Sequence, residues 1–186
     1  PETPDSALSE ISMDITEFND ELLPNILNEH KIDGIIGGPP CQGFSSARLS
    51  NATEKIGKVN ESRNHLYLEF FRTVDIVRPN FFLIENVRGL VSANKGAFVK
   101  DITERFGGIG YNVSYKILNA SDYGVPQNRQ RVFFIGLLEG EFEFPEKFEY
   151  QVSTKEAIMD LIHSNGTDAQ KYSSPSKNEY QKLMRN

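Results

Sequence analysis

Apolar residues along this chain alternate between short unbroken runs and four-residue spacings. Gly34-Ile35-Ile36-Gly37-Gly38, Phe81-Phe82-Leu83-Ile84 and Val132-Phe133-Phe134-Ile135 are runs bounded by polar or turn-forming residues. Runs of that length suit strands buried on both faces. Between them, Leu66, Phe70, Val74 and Val77 form one stripe, predicting a helix from about Arg63 to Arg78 that Pro79 stops. Phe98, Ile102 and Phe106 predict a second helix, closed by Gly107-Gly108. Val113, Tyr115 and Ile117 alternate as in a strand. Near the start, Ile11-Ser12-Met13-Asp14-Ile15 reads as a short strand ending at a carboxylate. Leu23, Ile26, Leu27 and His30 follow at helical spacing, with Pro24 tolerable only in a first turn. The order predicts an α/β fold: a doubly wound, mostly parallel sheet with an antiparallel edge.

Two stretches break the pattern. Residues 46–61 are rich in Ser, Asn, Lys and Gly and read as a surface loop. Past Tyr150, Ser153-Thr154-Lys155-Glu156 has the form of a capping box opening a short helix, and residues 165–186 carry few apolar anchors. We therefore divide the chain into a main part, 1–150, and a linker or start of a further domain, 151–186.

Composition narrows the class. The 186 residues suffice for one domain, and 38% hydrophobic with 25% charged residues describes a soluble globular protein without a membrane span. No signal-peptide pattern opens the chain, and a single cysteine excludes an internal disulfide and suits a reducing cytoplasm. The net charge of −6 weighs against a domain devoted to gripping phosphates, although one face can be basic while another is acidic.

That cysteine, Cys41, is the first candidate for chemistry. Gly37-Gly38-Pro39-Pro40 delivers it from a strand onto a stiff loop at a sheet edge, where open α/β sheets place their sites. An ordinary thiol is mostly protonated at neutral pH, so it needs an activating neighbour. The alternative is a small buried hydrophobe. Glu85 ends an otherwise apolar strand and must enter a site or meet a partner, since unpaired burial costs several kcal/mol; a strand-end carboxylate capping the next turn is the plainer reading. In Gln127-Asn128-Arg129-Gln130-Arg131, an extended chain projects Gln127, Arg129 and Arg131 to one side, suiting phosphates, carboxylates or base oxygens. Otherwise this is a solvated edge strand. Asp14 suits a cofactor ribose or amine, or else a helix N-cap.

Taken in order, Asp14-Ile15, Gly38-Pro39-Pro40-Cys41-Gln42, Glu85-Asn86-Val87 and Gln127-x-Arg129-x-Arg131 resemble the DNA cytosine-5 methyltransferase family. The resemblance covers about Asp14 to Gly136 and implies a Rossmann-like, S-adenosylmethionine-dependent methyltransferase without a metal. It implies that Cys41 attacks C6 of a flipped-out cytosine, that Glu85 holds N3 and the exocyclic amine, and that Arg131 contacts O2. Arg129 would order Glu85 or a phosphate, and Asn86 would brace the cysteine loop. Asp14 and Ile15, with Pro40 and the backbone near Leu66, would line the cofactor pocket; Gln42, Ser45 and Gln127 would meet the DNA substrate. The family's Phe-x-Gly-x-Gly loop is not found upstream of Asp14, so the fold is expected to be incomplete on its N-terminal side. The target-recognition domain is not found either, and these residues alone are expected to have negligible activity.

The implied partner is double-stranded DNA, with no membrane, a monomeric state and a bacterial cytoplasmic location. An RNA (tRNA) cytosine-5 methyltransferase and a catalytically silent nucleic-acid-binding homologue are the alternatives. A redox thiol enzyme fits less well, because no resolving cysteine is present.

Overall fold

The computed structural model describes residues 14–17, 31–40, 61–159 and 175–184, with the backbone alone at 61–65 and 94. The apolar stripe of the first long helix, α1 (Glu61–Val77), buries Tyr67, Phe70 and Val74. Leu66 lies on the same helix but is only partly buried, lining a cavity. Pro79 cannot continue the helix, and Arg78 takes up the turn at φ 52° while its N–H donates to the Val74 carbonyl at 2.9 Å.

Four strands form one sheet: β1 (Gly34–Gly37), β2 (Phe81–Val87), β3 (Asn112–Asn119) and β4 (Gln130–Leu137), in the order β1-β2-β4-β3. β1 pairs parallel with β2, while β4 runs antiparallel to both β2 and β3. Three strands therefore share one direction. The antiparallel end arises because β4 returns between β2 and β3 rather than adding at the rim. This places Arg131 directly opposite Val87, beside the end of β2.

The second long helix, α2 (Ala97–Gly108), packs with α1 on the same sheet face. The ring centroids of Phe70 and Phe106 lie 6.4 and 4.1 Å from that of Phe82, and Phe82, Ile84, Val132 and Phe134 complete this core. Close approach here requires glycine. A Cβ at Gly136 would overlap the Phe82 ring, and one at Gly37 would come within 2.7 Å of Phe70.

Beyond the sheet, Ser153 and Glu156 form the predicted reciprocal capping box on the short helix α3 (Thr154–Ile158). The segment read as linker contains a further helix, α4 (Glu179–Met184). Its signal was Asn178-Glu179-Tyr180-Gln181: Asn178 Oδ1 accepts the Gln181 N–H at 2.9 Å, as an N-cap does. Gln181 is 2% exposed, and its amide donates to the Glu156 carbonyl at 2.7 Å, tying α4 to α3. Of the strand read over Ile11–Ile15, the described end is not extended: Asp14 lies outside regular structure and Ile15–Glu17 forms one 3-10 turn, drawn in by the Thr16 N–H and hydroxyl on Asp14. The helix after Leu23 and the loop at 46–61 lie wholly or mainly outside the described residues.

Candidate active site at the strand ends

Parallel strands bring their C-terminal ends to one edge, and β1 and β2 do so here. β1 leads into Gly38-Pro39-Pro40, and β2 ends in Glu85-Asn86-Val87. The Asn86 side chain is 8% exposed. Its Nδ2 donates to the Pro39 carbonyl at 2.9 Å, and its Oδ1 accepts from the Val87 N–H at 2.9 Å. One amide thus joins the end of β2 to the loop leading to Cys41.

Glu85 points to the opposite sheet face from Asn86. Its Oε1 meets Arg131 Nε at 2.8 Å, while Oε2 lies 3.6 Å from the position a Cβ would take on Gly38. Arg131 Nη1 donates to the Gln130 carbonyl at 2.8 Å, so the guanidinium is held at two points. Among the described residues, the guanidinium ordering Glu85 is that of Arg131 and not, as the sequence reading allowed, that of Arg129.

Gln127, Arg129 and Arg131 do line one cleft, but not by projecting from an extended chain. Gln127 does not continue the extended strand. Its N–H donates to the Val125 carbonyl at 2.7 Å, and the Arg129 N–H donates to the Gln127 carbonyl at 3.1 Å, so residues 125–129 fold through two tight bends. Pro126 favours such a turn, and regular pairing begins only at Gln130. The bends form a cleft of about 490 Å³ lined by Val87, Arg88 and residues 127–131, with largely polar walls. Arg88, which the sequence reading did not single out, enters it; Nη1 donates to Gln130 Oε1 at 2.6 Å. Its signal was its position directly after Glu85-Asn86-Val87.

A second cavity, about 320 Å³ and mostly apolar, lies against β1. Ile15, Pro40 and Leu66 line it together with Ile36, Phe70 and Thr73. Three of the four residues read as a cofactor set thus share one space. Asp14, the fourth, adjoins it in sequence and is exposed. Its Oδ1 accepts from the Thr16 hydroxyl at 2.7 Å and the Thr16 N–H at 2.9 Å. The hydroxyl first, and the amide after it, hold the Asp14 pKa below the ordinary aspartate value. Both bonds fall on Oδ1, and Oδ2 has no hydrogen-bond partner among the described residues. Cys41, Gln42 and Ser45 lie outside the described residues.

An ion-paired carboxylate thus stands beside the loop that leads to Cys41, and an apolar cavity is lined by the same loop. The family model for C-5 cytosine-specific DNA methylases matches residues 5–186, and the chain belongs to that family. It is 44% identical over 147 residues to Type II methyltransferase M1.HphI of Haemophilus parahaemolyticus, covering 77% of this chain and 38% of the relative. It is 42% identical over 193 residues to Type II methyltransferase M.DdeI of Desulfomicrobium norvegicum, covering 96% and 44%. Among solved structures, one described as a prophage-encoded DNA modification methyltransferase (E. coli) superposes with a TM-score of 0.63 at 34% identity, covering 81% of this chain and 41% of that one. The chain spans less than half the length of each of these relatives.

Proposed function

We propose that this chain carries the catalytic face of a DNA cytosine-5 methyltransferase, and that Cys41, Glu85 and Arg131 act on one extruded cytosine. The observation that carries this reading is Glu85, a strand-end carboxylate fixed by Arg131 2.8 Å away and set beside Gly38, three residues before Cys41. C5 of cytosine is a poor nucleophile and must be made electron-rich. The Cys41 thiolate adds to C6 and forms an S–C6 bond. Glu85 holds the exocyclic amine and N3, and protonation at N3 takes up the electron pair displaced from the ring. C5 of the resulting enamine then accepts a methyl group. Loss of the C5 proton to water re-forms the C5–C6 double bond and expels the Cys41 thiolate, and N3 gives back its proton to leave neutral 5-methylcytosine. Extruding the base costs a few kcal/mol, which binding must supply.

S-adenosylmethionine supplies the methyl group as a sulfonium substituent. The residues present suit it. Ile15, Pro40 and Leu66 offer apolar walls for a heterocycle, and the open Oδ2 of the ionised Asp14 offers an acceptor near the rim. On this reading Arg131 turns an N–H toward the cytosine O2, Gln42, Ser45 and Gln127 meet the DNA, and Asn86 sets the cysteine loop. The partner is duplex DNA, and residues 151–186 connect the catalytic part, 1–150, to the rest of the protein. Further helices on the opposite sheet face would complete a doubly wound fold; Ile36 there is 69% exposed.

The test is covalent trapping. The complete protein, given cofactor and duplex DNA containing 5-fluorocytosine, should form a denaturant-resistant adduct that Cys41→Ala abolishes. No adduct on DNA, or preferential trapping on tRNA carrying the same base, overturns the DNA reading.

A further inference from the structure

The apolar cavity against β1 is walled on one side by α1. Leu66, Phe70 and Thr73 stand at i, i+4 and i+7 on that helix, and all three line the space. Phe70 belongs to the core as well. It is 4% exposed, and its ring lies edge-on to those of Phe82 and Phe106, with centroids 6.4 Å from each. Both of those rings are fully buried. Phe70 therefore has close-packed aromatics behind it and open space in front.

Gly37, the last residue of β1, lines the same space. Its backbone does not ask for glycine, since it is not among the described residues at positive φ. The reason is room. A Cβ at 37 would come within 2.7 and 2.9 Å of two carbons of the Phe70 ring, closer than such atoms approach. The ring would have to move, and with Phe82 and Phe106 behind it the open direction is into the cavity. The bare backbone at 37 thus keeps the space of about 320 Å³ clear.

We propose that Gly37 and Phe70 together size the cofactor cavity and so determine how bulky a purine it admits. This pairing rests on the cofactor reading above. Phe70 is the specificity-determining wall: a flat aromatic surface that suits a heterocycle and is too well supported to yield to a larger one. Gly37 acts through Phe70 as a positioning residue, holding that wall back by having no side chain. Neither residue belongs to the set Asp14, Ile15, Pro40 and Leu66 that the resemblance implies.

The test measures binding to the complete protein by calorimetry and needs no turnover. The probes are S-adenosylhomocysteine and analogues of it carrying a benzyl group at C2, N6 or C8 of the purine. Gly37→Ala should weaken S-adenosylhomocysteine binding about 10-fold or more, and adding Phe70→Leu should recover most of that loss. Phe70→Leu alone should improve at least one benzyl analogue about 10-fold relative to S-adenosylhomocysteine, and it carries the test where Gly37→Ala does not fold. Phe106→Leu trims the same aromatic cluster at a residue that does not line the cavity, and should leave the analogue preference unchanged. Unaltered affinity in a folded Gly37→Ala protein, unaltered analogue preference in Phe70→Leu, or an equal shift from Phe106→Leu overturns the pairing and leaves the cofactor reading standing. Failure of the unaltered protein to bind S-adenosylhomocysteine overturns both.

Discussion

Replacing Arg131 by alanine separates the stability of the fold from the order of the site. Arg131 Nε lies 2.8 Å from Glu85 Oε1, and the two side chains are 23% and 39% exposed. Unit charges at that distance attract by about 6 kcal/mol at an effective dielectric of about 20, and by about 1.5 kcal/mol in bulk water. Glu85 is more than a third exposed, so water screens the pair, and holding two side chains in one geometry offsets part of the gain. A net contribution to folding of about 1 kcal/mol follows. The reaction is more sensitive than the fold. Without Arg131 the Glu85 carboxylate rotates about its own torsions, and misplacing a reacting group by about 1 Å costs on the order of 100-fold in rate. In the complete protein the alanine variant should therefore lose about 1 kcal/mol in urea unfolding but about 100-fold or more in kcat/KM for methyl transfer. Lysine should recover stability better than activity, because it cannot reach Glu85 and the Gln130 carbonyl together as the planar guanidinium does. Activity within about threefold of the unaltered protein would refute the reasoning. So would an unfolding loss of several kcal/mol that accounts for the inactivity.

Gly136→Ala would drive a methyl group into the ring of Phe82, which is fully buried, and should cost about 1–3 kcal/mol in urea unfolding. Adding Phe82→Leu should cost less in that background than in the unaltered chain, and simple additivity would count against the packing argument. The Ser153 N–H, then the Ser153 hydroxyl, hold the Glu156 pKa below the ordinary glutamate value. Its contribution to the α3 cap is thus present above the ordinary carboxylate range and lost as pH falls through the folded value. Amide exchange at Ser153, corrected for its intrinsic pH dependence, should lose protection over that acid range and not at neutral pH.

How far the sequence reaches is clearest at β2 and β4. The run Phe81–Ile84 and the polar Glu85-Asn86 after it mark a strand and its end, but the expected burial on both faces is not met: Phe82 and Ile84 are buried while Phe81 and Leu83 on the other face are only partly so. Likewise the Phe98–Ile102–Phe106 spacing and Gly107-Gly108 delimit α2 without reference to any neighbour. The extended reading of Gln127 failed for a local reason, since the bends at 125–129 satisfy backbone groups within the loop rather than across a ladder. The helix at Glu179–Met184 was passed over because its stripe is weak and its anchor is a buried glutamine.

By itself, then, the sequence determined where the sheet strands and the two long helices run and which chemically competent residues end them, since periodicity and turn chemistry act over a few neighbouring residues. The tertiary structure decided which of those residues meet. β4 inserted between β2 and β3, and that one pairing set Arg131 on Glu85, required glycine opposite Phe82 and joined Arg88 to Gln130. Contacts across more than forty residues depend on strand order and register, which no local pattern records.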